Sequence, residues 1–221
     1  MSSIRTRTGA VGAAVAAAAT VTATIVVSVA AAAGAEVQRE PVRWHMQSGN
    51  PHLSLVGEGT SAQLVRRESG ISYSVQTSGL RPGHAYTVWV VIINNPTACA
   101  ASPCSPADIL QNAATESTVV YGTGHVVGES GEAGFGGSLR TGDLPSGWLA
   151  GVGLENPLGA DVHLVLNDHG PVLTEYMPEM IQTYRAGCTD ASLPGIFPAS
   201  AKADGTPGPN ECRLWQAVIF E

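Results

Sequence analysis

The chain reads as all-β, an antiparallel β-sandwich of about eight strands. Three observations predict this. Strong helix signals are missing after residue 40, short runs rich in Val, Ile, Thr and Tyr recur between Gly, Pro and Asn, and several of those runs alternate apolar with polar residues.

In chain order, residues 36–59 form an N-terminal extension or first strand, and residues 60–221 form the sandwich. Thr60 to Arg67 is followed by Glu68-Ser69-Gly70, which suits a hairpin turn. The next strand alternates Ile71, Tyr73, Val75 and Thr77 with Ser72, Ser74 and Gln76, as expected where one face is wet. Tyr86 to Ile93 (YTVWVVII) is apolar on both faces and stops at Asn94-Asn95-Pro96, so it belongs in the middle of a sheet. Thr118 to Val127 and Glu132 to Leu139 flank Gly128-Glu129-Ser130-Gly131 and read as a second hairpin. Val162 to Leu166, Met180 to Tyr184 and Leu214 to Phe220 complete the set. Packing two sheets together covers their apolar faces.

The N-terminus has a different character. Arg5 and Arg7 precede an uncharged run from Thr8 to Ala35, and Ala33-Gly34-Ala35 offers a small-x-small cleavage site before Glu36. Residues 1–35 therefore predict an export signal cut after Ala35, and the remaining chain is secreted. The alternative is a retained anchor over residues 8–35 with the domain outside. No cysteine lies near the signal, so a lipidated terminus is not supported. Removing residues 1–35 leaves 11 − 2 = 9 basic against 18 acidic residues, with Lys202 the one lysine. Such an acidic domain has no footprint for a polyanion, which excludes nucleic acid and anionic membrane surfaces as partners.

Four cysteines in an exported chain predict two disulfides, and spacing favours Cys99 with Cys104 and Cys188 with Cys212. The second closes the Pro-, Gly-, Ala- and Ser-rich loop 188–212, worth about 3 kcal/mol in chain entropy. A zinc site built from all four cysteines would need two close pairs, and only Cys99 and Cys104 are close.

Gly79-Leu80-Arg81-Pro82-Gly83-His84-Ala85-Tyr86 resembles the corner before a late strand in fibronectin type III domains, where a Leu-x-Pro-Gly turn sets a Tyr whose hydroxyl bonds back to nearby backbone. The resemblance covers some ten residues and implies architecture only. A looser likeness, carried by GLRPGHAYTVWVVIINNP, GTGHVV, NPLGADVHLVLNDHGP and a late Gly-Cys, is to secreted bacterial proteins of unassigned role; it implies an exported domain. His169-Gly170-Pro171 is similar to the His-Gly-Pro of CHRD-type extracellular β domains. A His-rich secreted sandwich also resembles copper-zinc superoxide dismutase, but that pattern needs a His-x-His pair where this chain has Asp161 and His163. The dismutase copper site is not carried over. The topologies these likenesses imply are Greek-key, immunoglobulin-like or CHRD/dismutase-like.

GADVHLVLNDHGP, residues 159–171, gathers two histidines and two aspartates. In one extended strand Asp161, His163, Val165, Asn167 and His169 share a face while Val162, Leu164 and Leu166 face the core. At about 3.3 Å per residue, His163 and His169 would then be roughly 20 Å apart, too far to share an ion. The turn residues after Leu166 suggest that the strand ends there and the chain bends. The adopted reading is a solvated strand face running into a turn. The alternative is a zinc or copper site of Asp161 and His163 joined by His125 or His169. His45, His52 and His84 fall in loops or edges without partners at a diagnostic spacing.

No G-x-S-x-G, H-E-x-x-H, P-loop or strand-to-helix G-x-G-x-x-G is present, so the common nucleophile, zinc-protease and nucleotide signatures are missing. Glu155 and Asp161 form no diagnostic carboxylate pair. The glycines of GTGHVV and GEAGFGGSL point to a crowded sheet-to-sheet contact ahead of a ligand groove. Trp44, Trp148 and Trp215 would line a carbohydrate platform if exposed and coplanar, and otherwise belong to the core. The expected function is non-catalytic binding or structural work at the cell exterior, with an extracellular protein or carbohydrate as partner and no cofactor; the alternative is an extracellular zinc or copper protein or redox enzyme.

Overall fold

The computed structural model describes residues 34–143 and 146–221; residues 1–33 of the predicted signal segment lie outside them. Two antiparallel sheets form the sandwich. The first orders β1 (Glu36–Glu40), β3 (Ser61–Arg67), β4 (Gly70–Thr77) and β7 (Ala133–Arg140) as β1-β3-β4-β7. The second orders β2 (Arg43–Trp44), β5 (His84–Ile93), β6 (Ser117–Val126), β8 (Asp161–Pro171) and β9 (Arg213–Phe220) as β2-β9-β8-β5-β6.

The predicted alternation holds in β4, where Tyr73 and Val75 are buried while Ser74 and Gln76 are exposed. β5 lies between β6 and β8, and every residue from Ala85 to Ile93 is buried. Its inward side chains Tyr86, Val88, Val90 and Ile92 meet Leu64 and Val75 in the space between the sheets. Its outward side chains Trp89, Val91 and Ile93 enter a second apolar cluster outside the sandwich proper.

That second cluster exists because irregular chain covers the outer face of the five-stranded sheet. One cover is the segment around α1 (Pro106–Gln111), held by a Cys99–Cys104 disulfide. The other runs from residue 172 to 212 through the short helices α2 (Met177–Met180) and α3 (Ala199–Ala203), and a Cys188–Cys212 disulfide pins it to the start of β9. Both disulfides pair as the spacing predicts.

Three expectations are corrected. Met180 to Tyr184 is no strand: Met180 ends α2, and its backbone N–H bonds Tyr176 while those of Gln182 and Thr183 bond Glu179, so the segment satisfies itself locally. β6 and β7 do not form a hairpin, because Gly83 N–H donates to Val127 and Leu80 N–H to Gly131, which carries the turn from one sheet to the other. Period-2 patterning identifies a strand but not its neighbour. β8 does not end at Leu166 but runs to Pro171, bulged against β9 between Leu166 and Asn167. Side-chain bonds hold its polar end extended: Asn167 donates to Tyr184 O, and Asp168 accepts from Gly170 N–H and His84 Nδ1 at 2.8 Å each.

The corner before β5 bonds back as the Leu-x-Pro-Gly turn predicts. Tyr86 Oη accepts the Arg81 N–H at 3.0 Å and donates to the buried Asp168 carboxylate at 3.1 Å. Arg66 joins the sheets at the opposite end, donating to the carbonyls of Pro157 and Ala160 just before β8.

The glycines of β6 and β7 accommodate Tyr73, whose hydroxyl sits where side chains at Gly122 and Gly137 would project; a Cβ at Gly137 would lie 2.5 Å from that oxygen. This is the crowded sheet-to-sheet contact expected from the sequence. Gly137→Ala should therefore destabilise by about 1–3 kcal/mol, as overpacking does, and Tyr73→Phe in the same chain should recover part of it, read as denaturant midpoints. Tyr86→Phe should cost about 1–3 kcal/mol by the same measurement, because the Asp168 carboxylate and Arg81 N–H each lose a buried partner.

Candidate functional site

The outward residues of β5, β8 and β9 form a floor that the covering segments do not fully fill. A cavity of about 270 Å³ remains between them. Its floor includes Trp89, Val91, His163, Val165, Ala217 and Ile219. Val165, in the middle of a central strand, is only half-buried because the cavity opens above it.

One side is aromatic. Trp148 stacks on Phe197 with ring centroids 4.8 Å apart and leans on Tyr184 at 5.3 Å, while Trp89 meets Tyr184 edge-on at 5.6 Å. Trp148 reaches this position because Leu149 bridges to Val119, and Tyr121 N–H bonds Ser146, along the edge of β6. Another side is aliphatic, with Ile109 and Leu110 of α1 and the prolines flanking Cys104. The connection after β2 supplies the rim: His45, Met46, His52 and Leu53. Among the described residues of the wall there is no Asp, Glu, Lys or Arg.

Two of the lining residues carry a nitrogen without a partner. Trp148 Nε1 and His163 Nε2 are fully buried and have no hydrogen-bond partner among the described residues. A third such nitrogen, Arg185 Nε, lies 2.8 Å from Asp190 Oδ1 and is ion-paired although poorly angled for a hydrogen bond. Leaving a buried polar group unpaired costs about 1–3 kcal/mol, so both nitrogens are unusual.

His163 is neutral. Burial pushes its pKa down to about 4, against a weaker opposing pull from Glu221. His45 at the rim is held at about 4 by burial and then by its neighbour His52. Asp161, by contrast, is raised, first by burial and then by Glu221, with Arg66 pulling the other way.

The residues singled out from the sequence are not gathered. β8 does present Asp161, His163, Val165, Asn167 and His169 on one face, as the alternation predicts, but that face is buried under the covers and is not solvated. His163 and His169 lie on one extended strand, roughly 20 Å apart at its rise per residue. His125 is two strands away from β8 at the opposite end of the sheet, opposite Tyr86 whereas His163 is opposite Val91. It stacks flat on Phe135 of the other sheet, with centroids 4.6 Å apart. The four proposed ligands thus do not converge on one ion. His169 does lie near Cys188 and Cys212, yet both sulfurs are spent in their disulfide.

His169 instead fastens the cover to the sheet. Its Nδ1–H donates to Ala186 O at 3.0 Å, and its Nε2 accepts from Thr87 Oγ1 at 2.8 Å, which in turn accepts from Trp89 Nε1–H at 2.9 Å. Every polar atom in that chain is used. The tryptophans form no flat platform either: Trp44 and Trp215 meet at 89°, Trp215 is buried, and Arg81 lies 4.4 Å over its ring.

Trp89, Tyr184, Phe197, His45 and His52 escaped the sequence reading as site residues, and Trp148 entered it only as part of a carbohydrate platform. They come from five separate parts of the chain with no shared spacing.

Acid should loosen this part of the molecule. His163 and His169 sit at about 4 when folded and at 6.5 when unfolded, so between those values the unfolded chain binds more protons. Their contribution is complete above pH 6.5 and is lost as pH falls towards 4, on the order of 3 kcal/mol for each. Urea unfolding at about pH 7 and about pH 4.5 should show that loss, and His163→Leu should flatten the dependence. No family model matches this chain, and neither a curated protein nor a solved structure resembles it at a significant level.

Proposed function

We propose that the protein is an exported, non-catalytic binding protein that holds a small, largely apolar molecule in the cavity above the five-stranded sheet. The observation that carries this reading is a cavity of about 270 Å³ walled largely by Trp89, Trp148, Tyr184, Phe197 and aliphatic side chains, with no Asp, Glu, Lys or Arg among its described lining residues. Ligand sites have this composition: mostly apolar surface with a few placed polar groups that fix orientation.

Export is supported by the basic and then uncharged N-terminal sequence and by two disulfides, which persist in oxidising compartments. Among the described residues, no helix is long and apolar enough to cross a membrane.

The test is titration of the exported, purified protein with N-phenyl-1-naphthylamine, a neutral dye that brightens in apolar surroundings. Saturable one-to-one enhancement is expected in the wild type. Val165→Trp, which builds an indole into the middle of the floor, should abolish it while the far-ultraviolet circular dichroism stays unchanged. Absence of saturable binding, or binding that the Trp substitution leaves intact, would remove the cavity from consideration.

A further inference from the structure

We propose that the mouth of the cavity docks on an electrically neutral phospholipid surface and exchanges its ligand there; this rests on the reading of the cavity as a ligand site. Exposure locates the mouth. Most lining residues are buried or half-buried, whereas Met46, His52 and Leu53 on one side and Pro103 and Pro106 on the other are exposed. None of these five carries a carboxylate, ammonium or guanidinium group.

Apolar exposure is concentrated at this place. Of the nine large hydrophobic side chains exposed among the described residues, Met46, Leu53 and Leu55 lie between residues 46 and 55, and Met46 and Leu55 are each 59% exposed. Register joins Leu55 to the mouth although it does not line the cavity. Leu55 pairs with Arg43, Arg43 with Ala217, Ala217 with Val165 and Val165 with Trp89, so one cross-strand row runs from the exposed edge onto the cavity floor. Exposed apolar side chains gathered in this way mark an interaction site, whereas the same residues scattered singly would need no explanation.

Continuity and charge identify the occupant. The patch adjoins the cavity, and a ligand suited to a wall without charged side chains partitions into apolar phases, so the reservoir that holds it is also one that the patch can enter. An anionic bilayer is unsuitable, because the chain after Ala35 has 9 basic against 18 acidic residues and is repelled by it. Arg43 suits a neutral phospholipid. Its Nη1 donates to Leu53 O at 2.9 Å, beside Leu55, so its charge can stay at the phosphate level while Leu55 and Met46 enter the acyl boundary.

The experiment loads the exported, purified protein with N-phenyl-1-naphthylamine and mixes it with phosphatidylcholine vesicles carrying a lipid-linked quencher, so that loss of fluorescence reports transfer. Docking makes the transfer rate rise in proportion to vesicle concentration. A rate independent of vesicle concentration means release into water first, which overturns the proposal while the cavity stands. Leu55→Glu should slow transfer about tenfold, on the order of withdrawing one leucine from an apolar contact, and leave the equilibrium dye affinity unchanged. Val152→Glu adds the same charge at an exposed apolar position beside β6, the far edge of the sheet, and should leave the rate unchanged. Equal slowing by both substitutions, or faster transfer to phosphatidylglycerol vesicles than to neutral ones, would overturn the neutral lipid surface. So would a wild-type dimer, seen by light scattering, that Leu55→Glu dissociates. Failure of the dye to bind at all removes the cavity reading and this inference with it.

Discussion

β5 is apolar on both faces, and a strand of that kind must be covered twice. The four-stranded sheet covers its inward side, where Val88, Val90 and Ile92 join the main core. Among the described residues no third sheet covers the outward side of Trp89, Val91 and Ile93; irregular chain does so instead. Segments without a repeating backbone ladder pay their ordering entropy with few internal bonds, which is why both carry a disulfide. The layering, the location of the cysteines and the incomplete cover above Val165 all descend from that one strand.

Polar residues of β8 complete the attachment on both faces. Asp168 points inward and is satisfied by Tyr86, Gly170 and His84, tying the corner before β5 to the end of β8. Asn167 and His169 point outward and bond the carbonyls of Tyr184 and Ala186 on the cover. Groups that read as turn formers in isolation thus serve as fasteners, since each finds a partner that the local sequence does not contain. His163 is the exception on this face: it is buried, though less completely than His169, and among the described residues its Nε2 has no partner. Two buried histidines on one strand thus differ: one is fully bonded, and the other borders the cavity with one ring nitrogen unpaired among the described residues.

An irregular cover also suits a binding role better than a third sheet would. Two flat sheets interdigitate to high density and leave little space. Loops held by disulfides can arch over a floor, and here the 172–212 cover brings Tyr184 and Phe197 against Trp148, which pairing along the edge of β6 holds in place.

Much of the fold was legible in the residues. The alternation in β4, the doubly apolar β5 and the glycine-lined contact under Tyr73 follow from side-chain period and volume, which are local properties. The disulfide pairing followed from loop length. What the sequence could not show was whether the polar face of β8 met water: Asp161, His163 and His169 look the same in the chain whether solvated or covered, and the segment that buries them has no periodicity to announce its place. Nor could it say that β7 joins the other sheet from β6, because period-2 patterning does not name a partner. By itself the sequence determined most of the strands and the alternation of their faces, set by neighbours a few residues apart, and the cross-links, set by cysteine spacing. Only the tertiary structure decided the cavity and which residues wall it, because these depend on where long, aperiodic connections come to rest.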